Sequence, residues 1–201
     1  MKEFGNIKKG DTITFGSYDK DGKAETKEEL TWLVLAVEGN KAMVITTEGI
    51  DSQQYNAEAV AIDWEKSSLR KWLNNKFLSE AFTAEETAQI ATTEVPWDDN
   101  PSFPRTPGNA TQDQLFLLSI SEAKTYFSSD KERTCKPTPI ALLHSVYEDE
   151  STGDCPWWLR NQGCEPECAA LVNEFGAISE NGDGVYCEGT AVRPAMWILL
   201  S

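Results

Sequence analysis

Histidine is nearly missing from this chain: His144 is the only one in 201 residues. That scarcity excludes metal centres built on several imidazoles and leaves little for a serine–histidine–carboxylate arrangement. Ser145 adjoins His144, but adjacency in sequence does not make a nucleophile and its base. Positive charge is also sparse, with 18 Lys and Arg against 33 Asp and Glu, a net charge of -15. Such a surface disfavours a nucleic-acid backbone or an anionic membrane, and it suits solubility, a basic partner or a cation. No stretch approaches the ~20 apolar residues of a membrane span. No G-x-x-x-x-G-K-[ST] loop is present to cradle a phosphate, and there is no internal repeat or low-complexity tract. Residues 1–10 lack the apolar core of a secretory signal. The expectation is therefore a cytoplasmic protein with no membrane insertion and no nucleic-acid partner, with display on a cell surface or a phage particle as the alternative.

Apolar and aromatic bulk is plentiful. Hydrophobic residues make up 40% of the chain, with seven Trp, eight Phe and five Tyr, ample for a packed core. The length fits a single domain over 1–201, with a helix-and-sheet scaffold over 1–155 and a strand-turn region over 156–201. Thr12–Tyr18 alternates with period two and reads as a strand, followed by a polar loop over Asp19–Lys27. Thr31–Val37 and Lys41–Thr46 flank Glu38-Gly39-Asn40, which predicts a hairpin. Asp63 or Ser67 can cap a helix carrying Leu69, Trp72 and Leu73 on one face. Thr83/Glu86 and Ser119/Glu122 are capping boxes, opening short helices to Ile90 and Phe127. Between them, Glu94–Gln112 carries four prolines and breaks every pattern. Its Trp97 and Phe103 predict a long insert that packs onto the body. Leu115–Leu118 reads as a buried strand, and Arg133–His144 as helix or coil interrupted by Pro137 and Pro139.

The last quarter, from Cys155 to Ser201, holds most of the information about function. Short apolar runs (Trp157–Arg160, Ala169–Val172, Phe175–Ile178, Val192–Ile198) alternate there with Gly, Asn, Asp and Glu, a pattern of strands and turns. The turns are chemically assorted: Cys164-Glu165-Pro166-Glu167-Cys168, Glu180–Gly184 and Tyr186-Cys187-Glu188-Gly189-Thr190. A plain frame with decorated loops is the usual plan of a recognition surface. Trp157 and Trp158 face opposite ways in a strand, so one can be core and the other partly exposed. Arg160 and Arg193 are expected to pair with carboxylates.

Five cysteines lie at 135, 155, 164, 168 and 187. Three arrangements stay open: a four-thiolate zinc site drawing on Cys155, Cys164, Cys168 and Cys187, one or two disulfides in an oxidising compartment, or plain thiols. Asp183 and Glu188 could offer oxygen ligands to calcium, but an Asn-, Gly- and Asp-rich segment is more often simply a turn. No cofactor is expected; calcium and zinc are the alternatives. The glutamates beside Cys164, Cys168 and Cys187 argue against a reactive thiolate.

Several motifs occur in order: Gly10–Tyr18, Leu69-Arg70-Lys71-Trp72-Leu73-Asn74, Phe116-Leu117-Leu118-Ser119, Trp157-Trp158-Leu159-Arg160 and Val192-Arg193-Pro194-Ala195-Met196-Trp197. In this set the chain resembles a large bacterial family of uncharacterised domains common in gut Firmicutes. More loosely, the tryptophan-rich strand, the glycine-punctuated Gly163–Gly189 region and the closing strand with Arg193 resemble the C-type-lectin-like fold. That group includes the formylglycine-generating enzymes and the variable proteins diversified by retroelements. The resemblance implies an α+β fold of small antiparallel sheets with flanking helices and a loop-rich C-terminal face.

The reading that follows is a noncatalytic module binding a protein or carbohydrate through loops 161–168, 173–175 and 179–190. The expected contacts are Asn161, Glu165, Glu167, Asn181, Asp183, Tyr186 and Glu188, with Trp158 as an aromatic contact. A retroelement-diversified variable protein fits this concentration of loop chemistry. A thiol- or metal-dependent enzyme related to formylglycine-generating enzymes and a self-associating structural protein are the alternatives.

Overall fold

A computed structural model describes residues 2–23 and 26–200 of the protein. Ala24 and Glu25, inside the expected Asp19–Lys27 loop, lie outside the described residues. The strand expected at the N-terminus is β1 (Thr12–Tyr18), and the expected hairpin is β2 (Glu28–Glu38) and β3 (Lys41–Thr46). Gly39 turns that hairpin at φ +60°, a value that side chains with a Cβ resist. After the short β4 (Asp51–Ser52) comes α1 (Ser68–Trp72), a π turn over Leu73–Phe77 and α2 (Leu78–Ala81). Ser67 caps this segment by accepting from the Arg70 N–H.

Both capping boxes form. Thr83 and Glu86 open α3 (Ala84–Thr87), and Ser119 and Glu122 open α4 (Ile120–Tyr126). The proline-rich insert begins and ends in a two-stranded ribbon of β5 (Thr93–Val95) and β6 (Thr111–Asp113). The stretch around Pro137 and Pro139 resolves into α5 (Asp130–Arg133) and α6 (Pro139–Leu143), the second capped by Thr138 with proline in its first turn. From Pro156 onward the chain is strand and turn: β7 (Trp157–Gln162), β8 (Cys168–Val172), β9 (Ile178–Gly184), β10 (Ala191–Val192) and β11 (Ala195–Leu199).

The strands build two main sheets. One has the order β1-β2-β3-β11 and is antiparallel throughout. The other has the order β4-β10-β7-β8-β9, with β10 and β7 parallel and the remaining pairs antiparallel. The architecture is therefore α+β, and a single hydrophobic cluster runs through both sheets and the helices. No helix among the described residues is long and apolar enough to cross a membrane.

Two expectations fail locally. Leu115–Leu118 is fully buried, but it forms only one isolated bridge, Phe116 with Ala195. Its polar groups are satisfied piecemeal, for instance by Asn74, whose Oδ1 accepts from the Gln114 and Leu115 N–H groups at 2.9 and 3.1 Å. Glu180–Gly184 is strand β9, not a free turn. Its ladder with β8 is interrupted between Ala169 and Leu171. Gly182 sits opposite at φ +71°, where a Cβ would collide with the Ala169 carbonyl. The glycine marks a close backbone approach inside a strand, which composition alone does not separate from a turn.

The motifs that carry the family resemblance belong to the frame. In Leu69–Asn74 the two leucines are buried, Arg70 Nε donates to Asp113 at 2.7 Å and Trp72 stacks on Phe77.

Candidate functional site

β7 carries the Trp-Trp-Leu-Arg motif through the middle of the second sheet, and both tryptophans are fully buried. Trp157 Nε1 donates to the Arg133 carbonyl at 3.0 Å, and Trp158 Nε1 to the Gln53 carbonyl at 3.1 Å. Trp158 is thus a core residue, against the expectation of an exposed aromatic contact, because the segment after β4 covers it, with the Tyr55 ring 5.9 Å away edge to face. Asn161 is corrected as well. It is buried, its Oδ1 accepts from the Ile120 N–H at 2.7 Å, and its amide donates to the Asp98 carbonyl at 2.8 Å. It fastens the insert and the start of α4 to β7, and its hydrogen-bonding capacity is spent internally.

Arg160 does pair with a carboxylate: Nη2 donates to Glu122 at 3.0 Å, and Nη1 bonds the second carboxylate oxygen. Arg193 does not. Its buried guanidinium donates to the Thr46 and Arg133 carbonyls at 2.8 and 2.9 Å and lies 5.0 Å from the Trp157 ring centroid. Burial pushes its pKa below the usual arginine value, while nearby Cys135 and Cys155 act the other way.

The proline-rich insert grips the C-terminal loops. The buried Asn100 amide donates to the Gln162 and Glu180 carbonyls at 2.8 and 2.7 Å. Arg105 Nη2 donates to the Cys164 carbonyl at 2.8 Å. Lys124 holds the Glu180 carboxylate at 2.7 Å, and with the Ser102 hydroxyl keeps it below the usual glutamate range. These bonds fix the backbone of 161–168 and β9, while Glu165, Glu167, Asn181 and Asp183 project into solvent. Tyr186 and Glu188, on the β9–β10 connection, are exposed as well, as is Phe175 in the 173–175 turn.

Electrostatically this region is one-sided. Residues 161–192 contain Glu165, Glu167, Glu174, Glu180, Asp183 and Glu188 and no lysine or arginine. The basic side chains that reach into it, Arg105, Lys124 and Arg133, are already engaged.

The thiols fall into two groups. Cys135 and Cys155 are buried with their sulfurs 3.8 Å apart, so Cys155 is not available to a four-thiolate set. Cys164, Cys168 and Cys187 sit at the loops. Burial, with Cys164 beside it, raises the Cys168 thiol above its ordinary value; burial, with Asp183 beside it, does the same for Cys187. Among the described residues, no three His, Cys, Asp or Glu side chains gather as a metal site.

One feature has no signal in the linear sequence. His144 Nδ1 lies 2.7 Å from Asp51 Oδ1, across 93 residues. Buried Asp51 also accepts from the Tyr18 hydroxyl at 2.8 Å. Burial and the neighbouring Asp51 carboxylate push that phenol above its ordinary range. The pair borders a polar cleft of about 460 Å³ lined by Ser52, Gln53, Gln54, His144, Ser145 and Glu188. Ser145 takes φ +79° there, the one non-glycine residue with positive φ among those described. The cleft thus joins Glu188 of the expected ligand loops to residues at the end of β4 and just after α6 that nothing in their sequence spacing connects.

The family model described as Domain of unknown function (DUF6273) matches residues 39–200, and the chain belongs to that family. No curated protein and no solved structure matched the chain.

Proposed function

We propose that this protein is a noncatalytic ligand-binding module on a C-type-lectin-like frame, with its ligand face on the C-terminal loops. The face comprises Glu165, Glu167, Asn181 and Asp183 on one side and Tyr186 and Glu188, beside the His144 cleft, on the other. One observation carries the reading: exposed acids are concentrated on backbone that buried Asn100 and Asn161 and half-buried Arg105 hold in place. A preorganised surface loses less entropy on binding than mobile loops do. The protonated state favoured at Cys168 and Cys187 speaks against a thiolate nucleophile there.

The favoured ligand is a protein with a basic patch, since 161–192 contains six carboxylates and no lysine or arginine, and Lys124 takes up only that of Glu180. A carbohydrate stacked on Tyr186 is the other arm. Variation by retroelement-driven diversification fits loops whose side chains project outward from a frame that does not depend on them. Protein and glycan arrays probed with the full chain separate the two ligand classes. A comparison of natural copies tests the variation: substitutions concentrated at the six exposed positions support it, and an even spread over frame and loops contradicts it.

A further inference from the structure

Cys135 follows α5 and Cys155 precedes β7, and the chain between them carries α6, His144 and Tyr147. Their sulfurs are 3.8 Å apart. The Cys155 N–H donates to the Cys135 carbonyl at 2.9 Å, so the two backbones already run side by side. A disulfide needs Cα atoms about 4.4–6.8 Å apart and sulfurs about 2 Å apart. That hydrogen bond and the 3.8 Å sulfur separation bring the two side chains within reach of one another, and the bond itself requires the sulfurs to close by a further ~2 Å. Gly49 packs directly against Cys155 and Ala191, leaving no room for a Cβ.

We propose that Cys135 and Cys155 are a redox site: a dithiol that a small-molecule disulfide of the glutathione class converts to an intramolecular disulfide. Because both sulfurs are buried, the oxidant meets them when this segment opens or before the chain has closed over it. The Cys135 thiolate then attacks one sulfur of the oxidant RSSR, forming a mixed disulfide and releasing RS⁻. Cys155 then loses its proton and displaces the second RS⁻ from Cys135. Two protein thiols and one RSSR become one protein disulfide and two RSH; two electrons pass from the protein sulfurs to the oxidant. Either sulfur can donate its S–H to the other across 3.8 Å. With Cys155 as the donor, the bond favours the Cys135 thiolate against the opposing effect of burial and holds Cys155 protonated. The buried Arg193 guanidinium, which has no carboxylate among its hydrogen-bond acceptors, adds to the stabilisation of negative charge on either sulfur. Asp154, next to Cys155, opposes it.

The bridge would close the covalent loop that carries His144, which contacts Asp51, and Tyr147, whose N–H donates to the Gly189 carbonyl at 2.9 Å. Oxidation therefore ties down one wall of the polar cleft. The site stands whether or not the loops bind a ligand.

The test uses the full chain in glutathione buffers from fully reduced to fully oxidised, both as the native protein and during refolding from urea. Samples are alkylated and read by intact mass and peptide mapping. The expected product carries three alkyl groups instead of five, is ~2 Da lighter than the reduced chain before alkylation, and is linked between the Cys135 and Cys155 peptides. Its melting temperature is expected to rise by about 5–10 °C and to fall back on addition of dithiothreitol. The Cys164→Ser/Cys168→Ser/Cys187→Ser variant should keep the mass loss, and Cys135→Ser should abolish it. Five alkylated thiols in every buffer and in both arms, or a bridge mapped only within Cys164, Cys168 and Cys187, would overturn the proposal.

Discussion

Arg160 and Arg193 are both buried, yet the protein neutralises them differently. Arg160 has the Glu122 carboxylate, which also completes the capping box of α4. Glu122→Ala removes an ion pair and a cap together and leaves a guanidinium without its counter-charge. The expected loss is about 3 kcal/mol in urea unfolding, and a loss under about 1 kcal/mol would mean that Arg160 finds water or another acceptor. Arg193 relies on carbonyls and an aromatic face, an arrangement that no carboxylate count in the sequence suggests. Asp98 shows the same local logic for an acid. Burial alone would raise its carboxyl, but hydrogen bonds from Ser119 and Ser121 hold it below the ordinary aspartate value. Its folded pKa is thus depressed. Its contribution to stability is fully present above the unfolded value of about 3.9 and is lost as pH falls through the lower folded value. Asp98→Asn should be less stable than the parent at neutral pH, with the gap narrowing below about pH 4. A gap that stays constant through acid titration would show that Asp98 carries no such linkage.

At the scale of elements, the proline-rich insert sets the shape of the loops. Asn100→Ala removes two hydrogen bonds that join the insert to β7 and β9. The expected result is about 1–2 kcal/mol of lost stability, with faster amide exchange in 161–168 and 179–184. Unchanged exchange in those segments would mean the loops hold themselves. Local chemistry made many elements legible beforehand. The hairpin at Gly39, both capping boxes and the Ser67 cap each depend on residues within a few positions of one another. The insert's packing was also foreseeable, because Trp97 and Phe103 are not residues of a dangling loop. What escaped depends on distant partners. Trp158 looks like a surface contact until Gln53 and Tyr55 come over it, and Asn161 until α4 and the insert do. Gly182 reads as a turn until Ala169 comes alongside. The Asp51–His144 pair joins two segments with no common pattern.

For the whole molecule, the division is between a buried frame built from the motifs that carry the family resemblance and an acidic set of loops that the frame does not need. Frame substitutions should therefore be felt as stability, and face substitutions as binding. The most direct measurement is the affinity of the full chain for a protein ligand found on the arrays, compared with a variant carrying Glu165→Gln, Glu167→Gln, Asp183→Asn and Glu188→Gln. The expected outcome is an affinity about tenfold or more weaker for the variant, with an unchanged melting temperature and a parent affinity that falls as salt is raised. Equal affinities for parent and variant at low salt would place the ligand elsewhere and contradict the assignment of these loops as the binding face.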